Sequence, residues 1–487
     1  MPISLQLKNQ HLLWRAGFGP AAGDITALST IPTDQLLDSM FRASAKKPEY
    51  IDVASNVLDG LGKGIEDVVK MAQDPEKNKE QRKKMQQANR DGIKSLNLAW
   101  LREMTDSNQQ MREKMSLFWH GHFACRVINV YYQQLLLDEI RKNALGNFGD
   151  LLRAVSRSAA MINFLNNQQN RKKHPNENFA REVMELFTLG RGNYTENDVK
   201  EAARAFTGWG ANIKGEFQFR PFQHDDDSKT ILGKTGRFDG DDVIDILLEQ
   251  KQTARFITTK IWRYFVNEQK VDTEKVNWLA DRFYNSQYDI SKLMRDIFSA
   301  SWFYDAAHIG SKIKSPVELV TGMQRIMPMT LENEENLLYV QRALGQVLFF
   351  PPNVAGWPGG RQWIDSSSLI LRMRIPRLIF DEEEFAVRAK DDDDVSGGME
   401  EKMEMKKAKK IAGGRVIRAD IEWGEVEKAF SQTDRSKLTD ALIGTLLQTP
   451  SISFSKSIVN KPLENDKGKI IRETYINLMS TPEYQLC

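Results

Sequence analysis

Apolar residues recur along most of the chain at intervals of three and four positions, which is the pattern of amphipathic helices. Phe256, Ile257, Ile261, Tyr264 and Phe265 form one such series. Alternation of apolar and polar residues over the length of a strand is rare. The pattern therefore predicts a mainly α protein, a large multi-helix single domain with long ordered loops.

Local signals mark several helix ends. Thr195 followed by Asp198 resembles a capping box, and Ser315-Pro316 places a proline in the first helical position. We expect Gly190 and Gly208 to follow helices that end just before them.

One segment departs from the helical pattern: residues 215–233, with the sequence GEFQFRPFQHDDDSKTILG. Phe217, Phe219 and Ile231 predict a small two-stranded β-hairpin between helices. We interpret the segment as an insertion that carries polar side chains.

The length of 487 residues allows about three domains at roughly 150 residues each, and it fits one large helical domain equally well. We predict one helical domain over residues 1–487. Two charged excursions interrupt it, at about residues 60–89 and 391–414. We expect both to be solvated, and the first could instead form a helix. For the second, a solvated loop is favoured over a segment that clamps a partner.

The 68 Lys and Arg residues nearly balance the 66 Asp and Glu residues, so the net charge is only +2. Such a chain has no overall field that attracts nucleic acid, and we expect no nucleic-acid partner. Two cysteines cannot form a disulfide framework in a chain of this length.

No stretch reaches the roughly 20 consecutive apolar residues of a spanning helix, so we expect no integral membrane segment. The first residues also lack the pattern of a signal peptide. A cytoplasmic location is therefore the default expectation.

The motifs of common enzyme families are missing. The glycines of DGLGKG, residues 59–64, lack the spacing of a P-loop, and no G-x-S-x-G elbow occurs. We expect no nucleotide cofactor.

His120 and His122 are candidate metal ligands, because neutral imidazoles bind transition metals. They follow an apolar stripe that includes Met111, Met115 and Phe118. Positions two apart lie about 200° around a helix, so the two rings share an ion only if Gly121 interrupts the helix. Otherwise His122 is a hydrogen-bonded core histidine and His120 faces water.

Glu182 and Glu185 are spaced one helical turn apart. Two such carboxylates can bind a metal or share a proton. The alternative is a row of ion pairs, since Glu177, Arg181 and Glu185 are also spaced one turn apart.

His224 and the three aspartates after it form a compact group of nitrogen and oxygen donors. By default this is an exposed acidic turn. It completes a site only if the fold brings it to His120 or His122 and to Glu182.

Residues 351–363, PPNVAGWPGGRQW, cannot continue a helix. The loop either walls a pocket, with Trp357 and Trp363 as apolar surfaces and Arg361 as an anion contact, or plugs the space between helices.

Several long motifs occur in one order along the chain: HLLWRAGFG, FWHGHF, NENFAREVMELFTLGRGNYTENDVKEAARAFTGW, HDDDSKTILG, FDGDDVIDILLEQ, PPNVAGWPGGRQWIDSS and STPEYQL. Together they resemble the bacterial family called domain of unknown function 1800, from about His11 to Leu486. The resemblance implies no reaction. It implies a gene neighbour similar to phosphatases and sulfatases, hence a protein partner of that kind, and export with such a partner stays open.

The family pattern HD-x-G-x-K stands here as His224 to Lys229 with an aspartate in place of the glycine. The family's motifs match residues selected above on chemical grounds: His120, His122, Arg181, Glu182, Glu185, His224, Asp225, Lys229, Trp357 and Arg361.

The first hypothesis is a metal-binding enzyme, a hydrolase or oxidoreductase, that uses a divalent transition metal. Its predicted metal ligands are His120, His122, Glu182 and His224. Glu185 or Asp225 would act as a general base or as a carboxylate that hydrogen-bonds a metal ligand. The predicted binding residues are Arg181, Lys229, Trp357 and Arg361.

The alternative is a non-catalytic scaffold or assembly factor that binds a phosphatase- or sulfatase-like partner through exposed loops. A third hypothesis, glycan binding, rests on Trp119, Trp209, Trp357 and Trp363 as stacking surfaces.

Overall fold

The computed structural model describes residues 3–55, 75–212, 214–385, 415–448 and 466–487. These residues contain 19 α-helices and only small two-stranded sheets. The predicted mainly α single domain is therefore confirmed.

The helices before the first strand are α1 (Leu5–Ala16), α2 (Thr33–Ser44), α3 (Pro75–Asp106), α4 (Gln110–His122), α5 (Val130–Asn143), α6 (Phe148–Arg157), α7 (Ala159–Phe164), α8 (Glu177–Glu182) and α9 (Glu196–Ala205). Helix α8 continues directly into a π-helix at Val183–Leu189. In the charged stretch predicted at residues 60–89, residues 75–89 belong to α3. The earlier part of that stretch and the second stretch, residues 391–414, lie outside the described residues.

Four short strands follow: β1 (Trp209–Ala211), β2 (Phe217–Phe219), β3 (Lys229–Ile231) and β4 (Lys234–Gly236). The next helices are α10 (Gly240–Leu248), α11 (Lys251–Phe265), α12 (Thr273–Asn285), α13 (Ile290–Phe298) and α14 (Pro316–Ile326). The remaining elements are β5 (Met329–Leu331), α15 (Asn336–Leu344), α16 (Ser366–Phe380), β6 (Glu384–Phe385), β7 (Arg415–Val416), β8 (Ala419–Ile421), α17 (Gly424–Ala429), α18 (Arg435–Leu446) and α19 (Lys467–Met479).

The predicted pairing inside residues 215–233 is wrong. Strand β2 pairs antiparallel with β1, and β3 pairs with β4, so two hairpins replace the single one. The reason is local turn geometry: Leu232 and Gly233 both have positive φ, which closes a two-residue turn between β3 and β4. Gly215, also at positive φ, lies in the turn between β1 and β2.

The predicted helix signals at Thr195, Ser315 and Gly190 are confirmed, whereas α9 ends at Ala205, three residues before Gly208. The Thr195 side chain accepts from Asp198 N, and the Asp198 carboxylate accepts from Thr195 N at 2.8 Å. Pro316 begins α14 after the N-cap residue Ser315. Gly190 ends the π-helix with a φ of 78°.

The buried apolar side chains form two adjoining clusters. The first lies mainly among α4–α13, and the second lies mainly among α3 and α14–α19. Helices α4 and α5 contribute to both, since Met115 and Leu136 belong to the first cluster and Leu117 and Leu137 to the second. The position of α4 therefore affects both halves of the core.

No helix in the described ranges is both long enough and apolar enough to cross a bilayer.

The contact between α14 and the end of α1 leaves no room for a methyl group at Gly322. A Cβ there would lie 2.3 Å from Trp14 Cη2 and 2.9 Å from the Phe18 carbonyl oxygen. We therefore expect Gly322→Ala to lower the free energy of unfolding by about 1–3 kcal/mol, measured by urea denaturation. In Gly444→Ala, the control in α18, the new Cβ meets nothing within 4 Å, and a gain of roughly 0.5–1 kcal/mol is expected. Equal stability of Gly322→Ala and the unmodified protein would contradict the packing.

Candidate functional site

Helix α4 is buried on every side although it carries charged residues. Arg112, Glu113 and Lys114 each expose 5% of their surface or less. Charged side chains are rarely buried so fully unless they are paired. Glu113 accepts from Arg141 Nε at 3.0 Å, and Lys114 Nζ lies 2.5 Å from Glu318 Oε1. These pairs connect α4 to other elements and fix the histidines at its end.

His122 connects α4 to the end of the π-helix. Its Nδ1 lies 3.0 Å from Lys260 Nζ, and its Nε2 lies 3.2 Å from the Phe187 carbonyl oxygen. Because an ammonium group only donates, Nδ1 accepts and Nε2 carries the proton. Burial lowers the pKa of His122 well below its usual value, which keeps the ring neutral. A metal at either nitrogen would displace one of these hydrogen bonds.

Lys260, on α11, also donates to the Leu186 carbonyl at 3.4 Å. Carbonyl groups at a helix end have no partner within the helix, so His122 and Lys260 satisfy two of them. Burial lowers the pKa of Lys260 to about 8.

His120 faces another part of the fold. Its Nε2 accepts from Phe349 N at 3.1 Å, and Phe349 has a φ of 68°, so the bond supports an unusual backbone conformation. Its ring lies 5.1 Å from the Trp100 ring and 5.3 Å from the Trp357 ring. Burial lowers the pKa of His120 to about 3. His120 is buried rather than water-facing, contrary to the alternative considered from the sequence.

Helix α4 runs through Gly121 to His122, so Gly121 does not interrupt it. His120 and His122 make their contacts with different segments, as the helical spacing requires. Within the residues that the structure describes, no three His, Cys, Asp or Glu side chains are grouped so that they could hold a metal ion.

The carboxylates of the 177–190 segment have separate partners. Arg181 Nη2 lies 3.1 Å from Glu177 and 2.7 Å from Glu196, whereas Glu185 accepts from the Tyr194 hydroxyl. The expected row of ion pairs is therefore confirmed only at Glu177 and Arg181. Burial, with the nearby charge of Glu185, raises the pKa of Glu182.

His224 and Asp225 are buried, so the expected exposed turn is wrong for them. His224 Nδ1 donates to the Thr207 carbonyl at 2.9 Å, and Thr207 Oγ1 accepts from Asp225 N at 2.8 Å. Arg204 binds both oxygens of Asp225, at 2.8 and 3.1 Å. Burial opposes ionisation of Asp225, but Arg204, the Asp227 N–H and the charge of Lys229 together outweigh it, and the pKa of Asp225 is lowered.

Lys229 completes this loop from its other end. Its Nζ donates to the carbonyl groups of Asp225 and Asp227. The predicted residues His224, Asp225 and Lys229 thus lie together, and they hold the segment between β2 and β3 against α9.

The loop at residues 351–363 packs directly on α4. A Cβ on Gly356 would lie 2.4 Å from the Gly121 carbonyl oxygen, and Gly356 has a φ of 87°. Gly359 and Gly360 lie against the Glu268 carboxylate. A Cβ added to these glycines would lie 3.1 and 3.2 Å from it, respectively. The loop therefore covers the end of α4 and Glu268 together.

Arg361 is exposed on this loop, and Trp357 is half-buried. Trp119, Trp209 and Trp363 are at most 5% exposed, so they cannot stack on a glycan as the third hypothesis required.

The structure also shows a polar group that the motifs did not reveal, here named the Glu318 cluster. It comprises Arg15, Lys114, Lys312, Lys314, Glu318 and Arg372, all at most 3% exposed, and Tyr264 and Glu268 border it.

Glu318 is the centre of the cluster. Lys114 Nζ and Lys312 Nζ both lie 2.5 Å from its Oε1, and its Oε2 accepts from Ser315 N at 2.7 Å. The last bond belongs to the capping box of α14. Burial opposes ionisation of Glu318, but Lys114 and Lys312 outweigh it and hold its pKa well below the usual value.

Lys314 and the two arginines lie within electrostatic reach of Glu318. Lys314 Nζ donates to the Tyr484 carbonyl at 2.6 Å and lies 3.6 Å from the centre of the Trp14 ring. Burial lowers the pKa of Lys314 to about 7 and that of Lys114 to about 8.

Several donors of this cluster have no partner among the described residues. They are Nε and Nη1 of Arg15, Nε and Nη2 of Arg372, and the hydroxyl of Tyr264, all of them buried. Lys312 Nζ lies 4.0 Å from the centre of the Tyr264 ring, so this ring borders the cluster.

The sequence contains two signals for this cluster. Lys114 lies three residues after Met111 and four before Phe118, so a lysine sits on the apolar stripe of α4. Lys312 and Lys314 stand directly before Ser315-Pro316, where a helix begins.

The chain matches the model of a protein family described as Protein of unknown function (DUF1800), over residues 11–486. No curated protein and no solved structure matches it. The resemblance inferred from the motifs is confirmed over nearly the whole chain, and the protein belongs to the DUF1800 family.

Proposed function

We propose that the protein binds a small oxyanion, a phosphate, sulfate or carboxylate group, at the Glu318 cluster, and that it acts on the molecule that carries this group. The observation behind the proposal is an excess of buried cations. The cluster and its border hold five cationic side chains, Arg15, Lys114, Lys312, Lys314 and Arg372, against the carboxylates of Glu268 and Glu318 and the negative charge at Cys487.

Buried cations without a counter-ion are expensive, because desolvation disfavours the charged form. The lowered pKa values of Lys114 and Lys314 are a direct sign of this cost. Part of the charge at Arg15 is met by the main-chain oxygen of Cys487, 2.8 Å from Nη2. An oxyanion would offset the remaining excess.

The unpartnered donors favour the same ligand. An oxyanion has enough lone pairs to accept from Arg15, Arg372 and the Tyr264 hydroxyl at once, and bonds to charged donors are the strong ones.

The loop at residues 351–363 closes the side of the cluster that Glu268 borders. Entry of a ligand on this side requires Gly359 and Gly360 to separate from Glu268. Burial raises the pKa of Glu268, so this carboxyl group is suited to exchange a proton with a bound molecule.

Thermal unfolding with inorganic phosphate, sulfate and malonate tests the proposal. We expect at least one of them to raise Tm of the unmodified protein, and Arg372→Met to lose most of that rise. One charged hydrogen-bond donor contributes about 1.5–3 kcal/mol, hence roughly a tenfold to hundredfold loss of affinity.

The free energy of unfolding measured without anion distinguishes a loss of anion binding in Arg372→Met from misfolding of the variant. Arg372→Met removes a buried cation with unpaired donors, so we expect it to be as stable as the unmodified protein, or more so by roughly 1–4 kcal/mol. The control Arg374→Met changes an exposed arginine of the same helix and should respond to anions like the unmodified protein. No response to any of the three anions would contradict the proposal.

Anion binding should weaken as the pH rises from about 6.5 to 9. The pKa values of Lys314 and Lys114, about 7 and about 8, lie in this range, so both lose their protons there. Calorimetric titration with sulfate, whose charge stays the same over this range, measures the affinity at each pH. An affinity that stays constant across this range would exclude these lysines from the site.

The anion-free protein should show the opposite trend. Unfolded lysines keep their protons up to about pH 10.4, so above pH 7 the unfolded state binds more protons than the folded state. Its free energy of unfolding therefore rises between about pH 7 and 10, by urea denaturation. Lys314→Met should show a smaller rise.

A divalent metal held by His120, His122, Glu182 and His224 is the competing proposal from the sequence. Metal content by inductively coupled plasma mass spectrometry, on protein purified without chelator, distinguishes the two. Because both ring nitrogens of His122 already make hydrogen bonds, we expect no stoichiometric metal. About one equivalent, lost in a folded His120→Ala, His122→Ala variant, would favour the metal enzyme instead. A phosphatase- or sulfatase-like partner stays a prediction.

A further inference from the structure

A second group of residues, unlike the buried Glu318 cluster, lies on the surface and combines basic with aromatic side chains. We name it the Phe222 face, and it consists of Arg171, Lys172, Lys173, Phe219, Arg220 and Phe222. Phe222 is 72% exposed and Phe219 is 44% exposed, and Arg171, Lys172 and Lys173 are all exposed.

Main-chain bonds hold the two parts of this face together. Lys172 N donates to the Gln223 carbonyl at 2.9 Å, which places the basic turn beside the 3₁₀ turn Pro221–Gln223. His174 N donates to the Arg171 carbonyl at 2.8 Å, so Lys172 and Lys173 lie at the tip of a tight turn.

The face rests on a rigid base. Asn170, which precedes the basic turn, is buried and donates to the Ala203 carbonyl at 2.8 Å. Gly208 N donates to the Asn170 carbonyl, and Arg220 N donates to the Gly208 carbonyl at 2.8 Å. The exposure of Phe222 is thus fixed by ordered backbone on both sides.

We propose that the Phe222 face binds the surface of an anionic lipid bilayer. Exposed phenylalanine flanked by lysine and arginine suits the boundary between headgroups and acyl chains, where the ring leaves water and the cations meet lipid phosphates. Lysine, in contrast, is depleted in interfaces between proteins, which disfavours a protein partner at Lys172 and Lys173.

The charge of the face sets the strength of this binding. Three exposed cationic side chains, Arg171, Lys172 and Lys173, and the half-buried Arg220 lie on it, and the exposed Asp226 and Asp227 follow nearby in the chain. The attraction is therefore moderate, and binding is reversible and sensitive to salt.

Flotation with vesicles tests the proposal on the full chain. We expect the protein to float with vesicles of mixed phosphatidylglycerol and phosphatidylcholine, and to stay in solution with pure phosphatidylcholine. Lys172→Glu with Lys173→Glu should lower the bound fraction at least about tenfold. Phe222→Ser should lower it less, and raised salt should weaken binding of the unmodified protein.

The matched control is Arg82→Glu with Lys83→Glu, which makes the same charge change on an exposed part of α3. It should bind vesicles like the unmodified protein. The proposal is wrong if no vesicle binding occurs, or if the control loses as much binding as the Lys172 and Lys173 variant. It is also wrong if Phe222→Ser has no effect while soluble polyglutamate displaces the vesicles, because the face would then recognise an acidic polypeptide. These outcomes leave the oxyanion proposal untouched, since no residue of the Glu318 cluster is changed.

Discussion

One buried carboxylate, that of Glu318, joins parts of the chain that lie far apart in sequence. It binds Lys114 of α4 and Lys312 of the segment before α14, and it caps α14 through Ser315. A carboxylate without these partners would be too costly to bury. The contact fixes α4 against α14 at the boundary of the two core clusters, so both halves of the fold depend on it.

The position of α4 then determines what its histidines can do. His120 holds the backbone at Phe349, and His122 with Lys260 satisfies the end of the π-helix. Burial keeps both rings neutral by lowering each pKa. Neutral imidazoles are also what a metal requires, so the protonation state of the two rings does not distinguish a structural role from a metal-binding role.

The helices and their ends could be predicted because their causes are local. The capping residues Thr195 and Ser315 act within one turn. The prediction of the strand pairing was wrong because the turn between β3 and β4 places Leu232 at a positive φ. The sequence has no clear signal for this conformation at a branched residue. The Glu318 cluster could not be predicted as a whole, because Lys114 and Glu318 meet only in the folded chain. The sequence indicated the cluster only through Lys114, a lysine on the apolar stripe of α4, and through the two lysines before Ser315.

The composition of the cluster bears on whether it is only structural. A network that merely connects helices would be as stable, or more so, with apolar side chains of similar volume. One carboxylate with two lysines already connects α4 to α14. Arg372 donates from Nη1 to the Lys314 carbonyl at 2.9 Å, while its Nε and Nη2 are buried and have no partner among the described residues. The oxyanion proposed above would give those donors an acceptor.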